Sequence, residues 1–295
     1  MAETEQQAFK PRLKHLVPIV LGLGATGLLS YPIRNGGALP APVTPFSGDS
    51  LANASLNALT FVIALAASAT AMFLLIRRGR MKFIRRLIKV ALIVVSFAVV
   101  FWYAASVLNI DFSALLILSV GVASLIGVAI FGKGRVRQLL GVTALGALTG
   151  VFLGSSIPLI TSLVLVATLV VYDIVAVFRG PVGALARTVG SGDLPGAMYT
   201  YGELTIGMGD LVFYSLVATT AMVTFGIYSF FGAALGILAG SYLGFRALSR
   251  FEMFPGLPFS LLLGVAGMLL PVWLYAVVMV LVIMISVWVL RPRAI

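Results

Sequence analysis

The chain has 295 residues, of which 61% are hydrophobic and only 10% charged, and its mean hydropathy is +1.13. A soluble domain is nearer a quarter charged, so this composition describes a polytopic membrane protein with little room for a separate soluble domain. The net charge of +11 does not point to nucleic acid, because the basic residues stand at the ends of apolar runs, where orientation signals belong; the absence of cysteine and the single histidine, His15, exclude disulfides, thiolate nucleophiles, His-Glu-x-x-His zinc chemistry and a membrane-buried Ser-His pair.

A membrane-crossing helix needs about 20 apolar residues. Such runs occur at roughly 15–31, 51–76, 87–108, 112–132, 138–158, 159–178, 204–229, 232–249 and 258–290, which predicts an all-α fold of nine transmembrane helices. The first run, behind Lys10, Arg12 and Lys14, has the layout of a signal peptide and is read here as a retained span. The last run is long and contains Pro271, so it is either one tilted or kinked helix or two spans. With the N-terminus inside, 17 of the 20 Lys and Arg residues fall on the inner side and three, Arg34, Arg291 and Arg293, on the outer side. That bias predicts a cytoplasmic N-terminus.

Two runs carry glycine every fourth residue: Gly146, Gly150 and Gly154, then Gly232, Gly236, Gly240 and Gly244. This spacing keeps the glycines on one helix face and predicts close helix–helix seams. "GLGATG", Gly22 to Gly27, spells a dinucleotide-binding pattern but lies inside a span rather than between a strand and a helix, so it is read as packing.

Nine acids remain to be placed. Seven fall in tails, loops or span ends, Asp111 among them; only Asp173 in "VVYDIVAVF" and Asp210 in "TIGMGDLVFYS" lie within apolar runs. A carboxylate at mid-membrane costs about 2.5–3.5 kcal/mol even on the lenient insertion scale, so it persists where it is paired, hydrated or used. Asp173 stands about 8 Å from the inner end of the sixth run and Asp210 about 9 Å from the inner start of the seventh, at 1.5 Å per residue. Level carboxylates on consecutive helices can share one proton. That state suits peptide hydrolysis, in which the ionised partner activates water and the protonated partner donates to the developing oxyanion, with no metal or other cofactor required. Gly207 and Gly209 remove side chains beside Asp210, so a partner helix or an extended substrate could come close.

Tyr172-Asp173 in one span, Gly-Met-Gly-Asp followed by Phe-Tyr-Ser in the next, and a Pro-x-Leu motif before the last span resemble the presenilin and signal peptide peptidase family, most of all its compact archaeal presenilin homologues. The resemblance covers most of the chain. It implies an intramembrane aspartyl protease with Asp173 and Asp210 catalytic and the Pro-x-Leu motif supporting the site and its substrate. Here that motif is Pro255-Gly256-Leu257, with glycine where the family has alanine, and Pro258 follows. Two prolines so close resist helix formation, which predicts either an irregular segment near the aspartates or a plain helix-start turn. Tyr172 is either a hydrogen-bonding neighbour of the site or packing.

The organisation expected is one integral membrane domain, 1–295: a six-span part to about 178, a cytoplasmic loop 179–203 rich in glycine and proline, and a three-span part 204–295. The loop reads as a cover or substrate-recruiting segment, or as a connector. The expected partners are transmembrane helices of substrate proteins and membrane lipid, with no nucleic acid and no obligatory protein partner. A homo-oligomer remains open, and the resemblance suggests a prokaryotic plasma membrane. Competing readings are a proton- or cation-coupled transporter, an ion-leak channel, and a prepilin peptidase; the last is disfavoured because Leu211-Val212-Phe213, not lysine, follow Asp210.

Overall fold

The computed structural model describes residues 11–36, 42–48, 50–132, 134–178, 198–201, 204–249 and 255–290, with the backbone alone at 178, 198–201, 204–205 and 283–290. Among them are nine α-helices: α1 (Val17–Asn35, entered through a 3-10 turn at Leu13–Leu16), α2 (Leu51–Arg77), α3 (Met81–Val107), α4 (Phe112–Phe131), α5 (Arg135–Ser156), α6 (Leu159–Phe178), α7 (Met208–Thr224), α8 (Ile227–Leu248) and α9 (Leu257–Leu290). All except α7 are long and apolar enough to cross a membrane, and the chain is a multi-pass integral membrane protein. α7, with 17 residues, is the short one.

Local chemistry sets several boundaries. Ser50 caps α2, its hydroxyl accepting the Asn53 N–H at 3.1 Å. Asp111 caps α4, accepting the Ala114 N–H at 3.1 Å and the Ser113 hydroxyl at 2.6 Å. These two bonds hold its carboxyl below the usual carboxylate range, the Ser113 hydroxyl most strongly. Gly226, at φ +106°, turns the chain between α7 and α8, and the exposed Arg34 at the end of α1 lies over that turn and donates to the Met222 carbonyl.

The centre of the bundle is α5 packed on α7, with α1 against both. The first glycine ladder makes that contact: a Cβ at Gly150 would meet the Val212 carbonyl and Ser215, and one at Gly154 would lie 2.7 Å from Thr219 Cβ. The second ladder makes the α8–α9 contact. Gly232 faces the Gly267 carbonyl, Gly236 the Leu263 carbonyl, and Gly240 the Phe259 carbonyl, each too close for a side chain. Both ladders are therefore packing seams, as their spacing predicts. α2 stands apart, since none of its most apolar window is enclosed, and it meets the body mainly through α6.

Three boundaries differ from the sequence expectation. α3 begins at Met81 rather than near 87, because its basic first turns stay helical although they are not apolar. The run at 232 begins five residues earlier, at Ile227. The seventh run does not start as helix: Leu204–Gly207 is a strand, paired antiparallel with Met198–Tyr201 in the register Met198↔Gly207 to Tyr201↔Leu204. A four-residue strand rich in β-formers cannot be told from a helix entry by hydropathy. The final run, by contrast, is one continuous helix that contains Pro271. The rest of the expected loop, 179–197 with Gly202 and Glu203, lies outside the described residues.

Candidate active site

The hairpin ends directly on α7, so Asp210 is the third residue of that helix rather than six residues into it. Gly207 occupies the N-cap, and a Cβ on it would lie 3.7 Å from Asp210 Oδ2. Asp173 sits five residues before the end of α6. Its Oδ2 accepts the N–H of Leu257 at 3.1 Å, and Leu257 is the first residue of α9. Asp173 thus accepts one of the unpaired donors that a helix start presents, and Asp210 lies in the first turn of α7, where a negative charge is best tolerated.

Gly256 brings the two acids to one place. A Cβ built on it would lie 3.9 Å from Asp210 Oδ2, while the next residue's N–H is bonded to Asp173. Both carboxylates therefore face the Gly256–Leu257 dipeptide, and the charge of Asp173 acts on Asp210. Both residues are half-buried. Pro255 and Leu257 are buried, with Leu257 only 7% exposed, so the dipeptide is anchored from either side. The irregular backbone is short: Pro255 and Gly256 precede the helix, and Pro258 falls in its first turn, where proline has no N–H to lose.

The other expected residues are placed as follows. Gly209 is exposed, with nothing within 4 Å of an added Cβ, and Gly207 would bring one 3.7 Å from Asp210 Oδ2. They keep one side of the Asp210 helix start open, and no partner helix approaches it among the described residues. Tyr172 is half-buried beside Asp173, and its phenol makes no hydrogen bond among the described residues.

A buried serine pair carries the polar contacts. Ser241 on α8 and Ser260 on α9, 2% and 0% exposed, lie 3.0 Å apart, and Ser260 donates to the Gly256 carbonyl at 3.2 Å. Sequence reasoning missed this group. The available signal was Ser241 beside Gly240 in the second glycine ladder, whose close seam brings another helix near.

Comparison with known proteins gives a consistent fold. No family model matches the chain. It is 30% identical over 162 residues to Presenilin-B of Dictyostelium discoideum, a match that spans 52% of this chain and 34% of that protein. Two solved structures of a presenilin family intramembrane aspartate protease superpose on it. One, in space group C222, has a TM-score of 0.64 at 20% identity, covering 90% of this chain and all of that one. The other, in space group P2, has a TM-score of 0.61 at 23% identity, covering 91% of this chain and all of that one.

Proposed function

We propose that this chain, which has the presenilin fold and a presenilin-like sequence over half its length, is an intramembrane aspartyl endopeptidase that hydrolyses peptide bonds of transmembrane substrates. The observation that carries the reading is the convergence of Asp173 and Asp210 on one dipeptide, Asp173 bonded to the start of α9 and Asp210 in the first turn of α7.

In the reaction, one carboxyl carries the shared proton and the other is ionised. The ionised partner takes a proton from water as the water oxygen bonds to the scissile carbonyl carbon, and the protonated partner gives its proton to the carbonyl oxygen. The C–N bond then breaks as the amine takes a proton from one carboxyl and a hydroxyl of the tetrahedral diol returns one to the other, leaving a carboxylic acid, an amine and the pair with its single proton. A helical substrate must first unwind locally, since its carbonyls are bonded internally. The freed backbone then needs partners. The free edge of the hairpin at 198–201 and 204–207, which leads straight into Asp210, is placed to pair with such a strand. The open side at Gly209 leaves room for it.

In this reading Asp173 and Asp210 are the catalytic residues. Gly207, Gly209, Pro255, Gly256 and Leu257 shape the substrate side, and Tyr172 flanks it. The chain acts as one integral domain with 1–178 and 204–295 each supplying one aspartate, and it works without a protein partner. Its N-terminus is cytoplasmic in a prokaryotic plasma membrane, an orientation supported by the 17-to-3 distribution of basic residues.

The test is cleavage of a single-span substrate by the purified protein in liposomes. Asp173→Asn and Asp210→Asn are each expected to abolish cleavage while the protein stays folded and extractable. Full activity in either variant sinks the assignment. Ion flux into the same liposomes without any proteolysis by the wild type supports the transporter reading instead.

A further inference from the structure

We propose that Ser241 and Ser260 form a directed hydrogen-bond relay that positions Asp173 through the Gly256–Leu257 peptide group, and the proposal rests on the proteolytic reading above for its effect on rate. The direction follows from counting protons. A serine hydroxyl has one proton. That of Ser260 is given to the Gly256 carbonyl, which can only accept. Between Ser241 and Ser260, 3.0 Å apart, Ser241 must therefore be the donor. Both serine protons are then committed, and both point one way, toward Gly256.

The relay continues past that carbonyl. The Gly256 C=O and the Leu257 N–H are the two ends of a single conjugated peptide group. Donation to its oxygen draws electron density from its nitrogen and makes the N–H a stronger donor, the cooperative effect of hydrogen bonds in series. That N–H is the one Asp173 accepts, at 3.1 Å. The chain of bonds starts on α8, crosses α9 and ends on the carboxylate of α6. Its two hydroxyl residues are almost wholly enclosed, at 2% and 0% exposure for Ser241 and Ser260, so water does not compete for them. They are positioning residues: none reaches substrate.

Ser241→Ala removes the first donor, and Ser260→Ala removes the last. In the purified chain acting on a single-span substrate, each is expected to lower kcat roughly three- to tenfold, the worth of one buried hydrogen bond, with KM unchanged. The double variant should lose little more than either single one, because both cut the same relay. Losses that multiply, or kcat unchanged in folded variants, overturn the proposal. Should Ser260→Ala fail to fold, Ser241→Ala alone carries the test. A readout independent of activity separates this proposal from the proteolytic one. The thermal midpoints of Ser260→Ala and Asp173→Ala should be non-additive, since the second removes the end of the chain. Additivity there, in an active wild type, refutes the relay. Non-additivity in a wild type that cleaves nothing leaves the relay standing and refutes the protease.

Discussion

Replacing Gly240 by alanine tests whether the α8–α9 seam sets the site. An alanine Cβ there would lie 2.5 Å from the Phe259 carbonyl carbon and 2.6 Å from Ser260 Cα, and ordinary contact begins at 3.4 Å. Backbone cannot rotate away as a side chain can, so α9 must retreat from α8 by about 0.9 Å at this level. The displaced residues adjoin Leu257, whose N–H holds Asp173 at 3.1 Å; the same retreat along that bond would open it to about 4 Å, past hydrogen-bonding distance. A misplacement near 1 Å can cost about 100-fold in rate, and overpacking of this kind costs about 1–3 kcal/mol in stability. The seam supplies its own controls. Gly232→Ala meets the Gly267 carbonyl far from the aspartates, so it should cost similar stability with a smaller loss of kcat. Gly244→Ala finds only the Gly256 carbonyl, at 4.0 Å, and should be nearly silent in both. Thermal unfolding and cleavage kinetics on the three purified variants decide the matter. Wild-type kcat in Gly240→Ala, or equal rate losses in Gly232→Ala and Gly240→Ala, would refute the argument.

Gly256→Val places a branched side chain against Asp210, whose Oδ2 is already 3.9 Å from a first carbon, and is expected to abolish cleavage while the protein still extracts and melts cooperatively. Leu257→Ala keeps the N–H that Asp173 accepts but empties a buried site, so it should lower stability by about 2–5 kcal/mol and slow cleavage, both measured on purified protein. Arg34→Ala removes the donor to the Met222 carbonyl; with the guanidinium exposed, a loss of about 1 kcal/mol in thermal unfolding and an unchanged kcat are expected. Asp111→Ala removes the cap of α4, and its effect should depend on pH: the native carboxyl is held below its ordinary range, so its stabilisation is present at neutral pH and fades as pH falls through the acid range. The gap in melting temperature between wild type and Asp111→Ala should therefore close on acidification, which differential scanning at several pH values reads directly.

The parts of this molecule that depend on local periodicity were legible in its sequence. α4 and α6 begin and end within a residue of the apolar runs at 112–132 and 159–178, because hydropathy and helix rise are both properties of short windows. The nearness of the aspartates was legible only in part: residue counts put both towards one end of their helices, but the count for Asp210 assumed helix over 204–207, which is strand. α3 shows where this fails, since its first turns carry the charges from Lys82 to Lys89 and no hydropathy scale marks them as part of a span. The relay lay further out of reach. Hydroxyls in membrane helices usually bond the carbonyl four residues back, as Ser96, Ser119 and Ser155 do here, and Ser260 makes that bond too. What distinguishes Ser260 is a neighbour on another helix, Ser241, which is brought near by a seam whose register the sequence does not state.

The shortness of α7 has a consequence for the lipid around it. Seventeen residues span about 25 Å, against a hydrocarbon layer of about 30 Å. Its far end is fixed, because the exposed Arg34 guanidinium that holds the Met222 carbonyl keeps that end at a membrane interface. The shortfall of about 5 Å is therefore taken up wholly at the other end, where Gly207 and Asp210 begin the helix. Hydrophobic mismatch of this kind is relieved by local thinning of the bilayer or by water descending into it. In the proposed reaction the thinned side is the one where water is needed, so the membrane itself would be part of the supply route. Acyl-chain length is then a rate variable: longer lipids deepen the mismatch and lengthen the path of each water to the carboxylates.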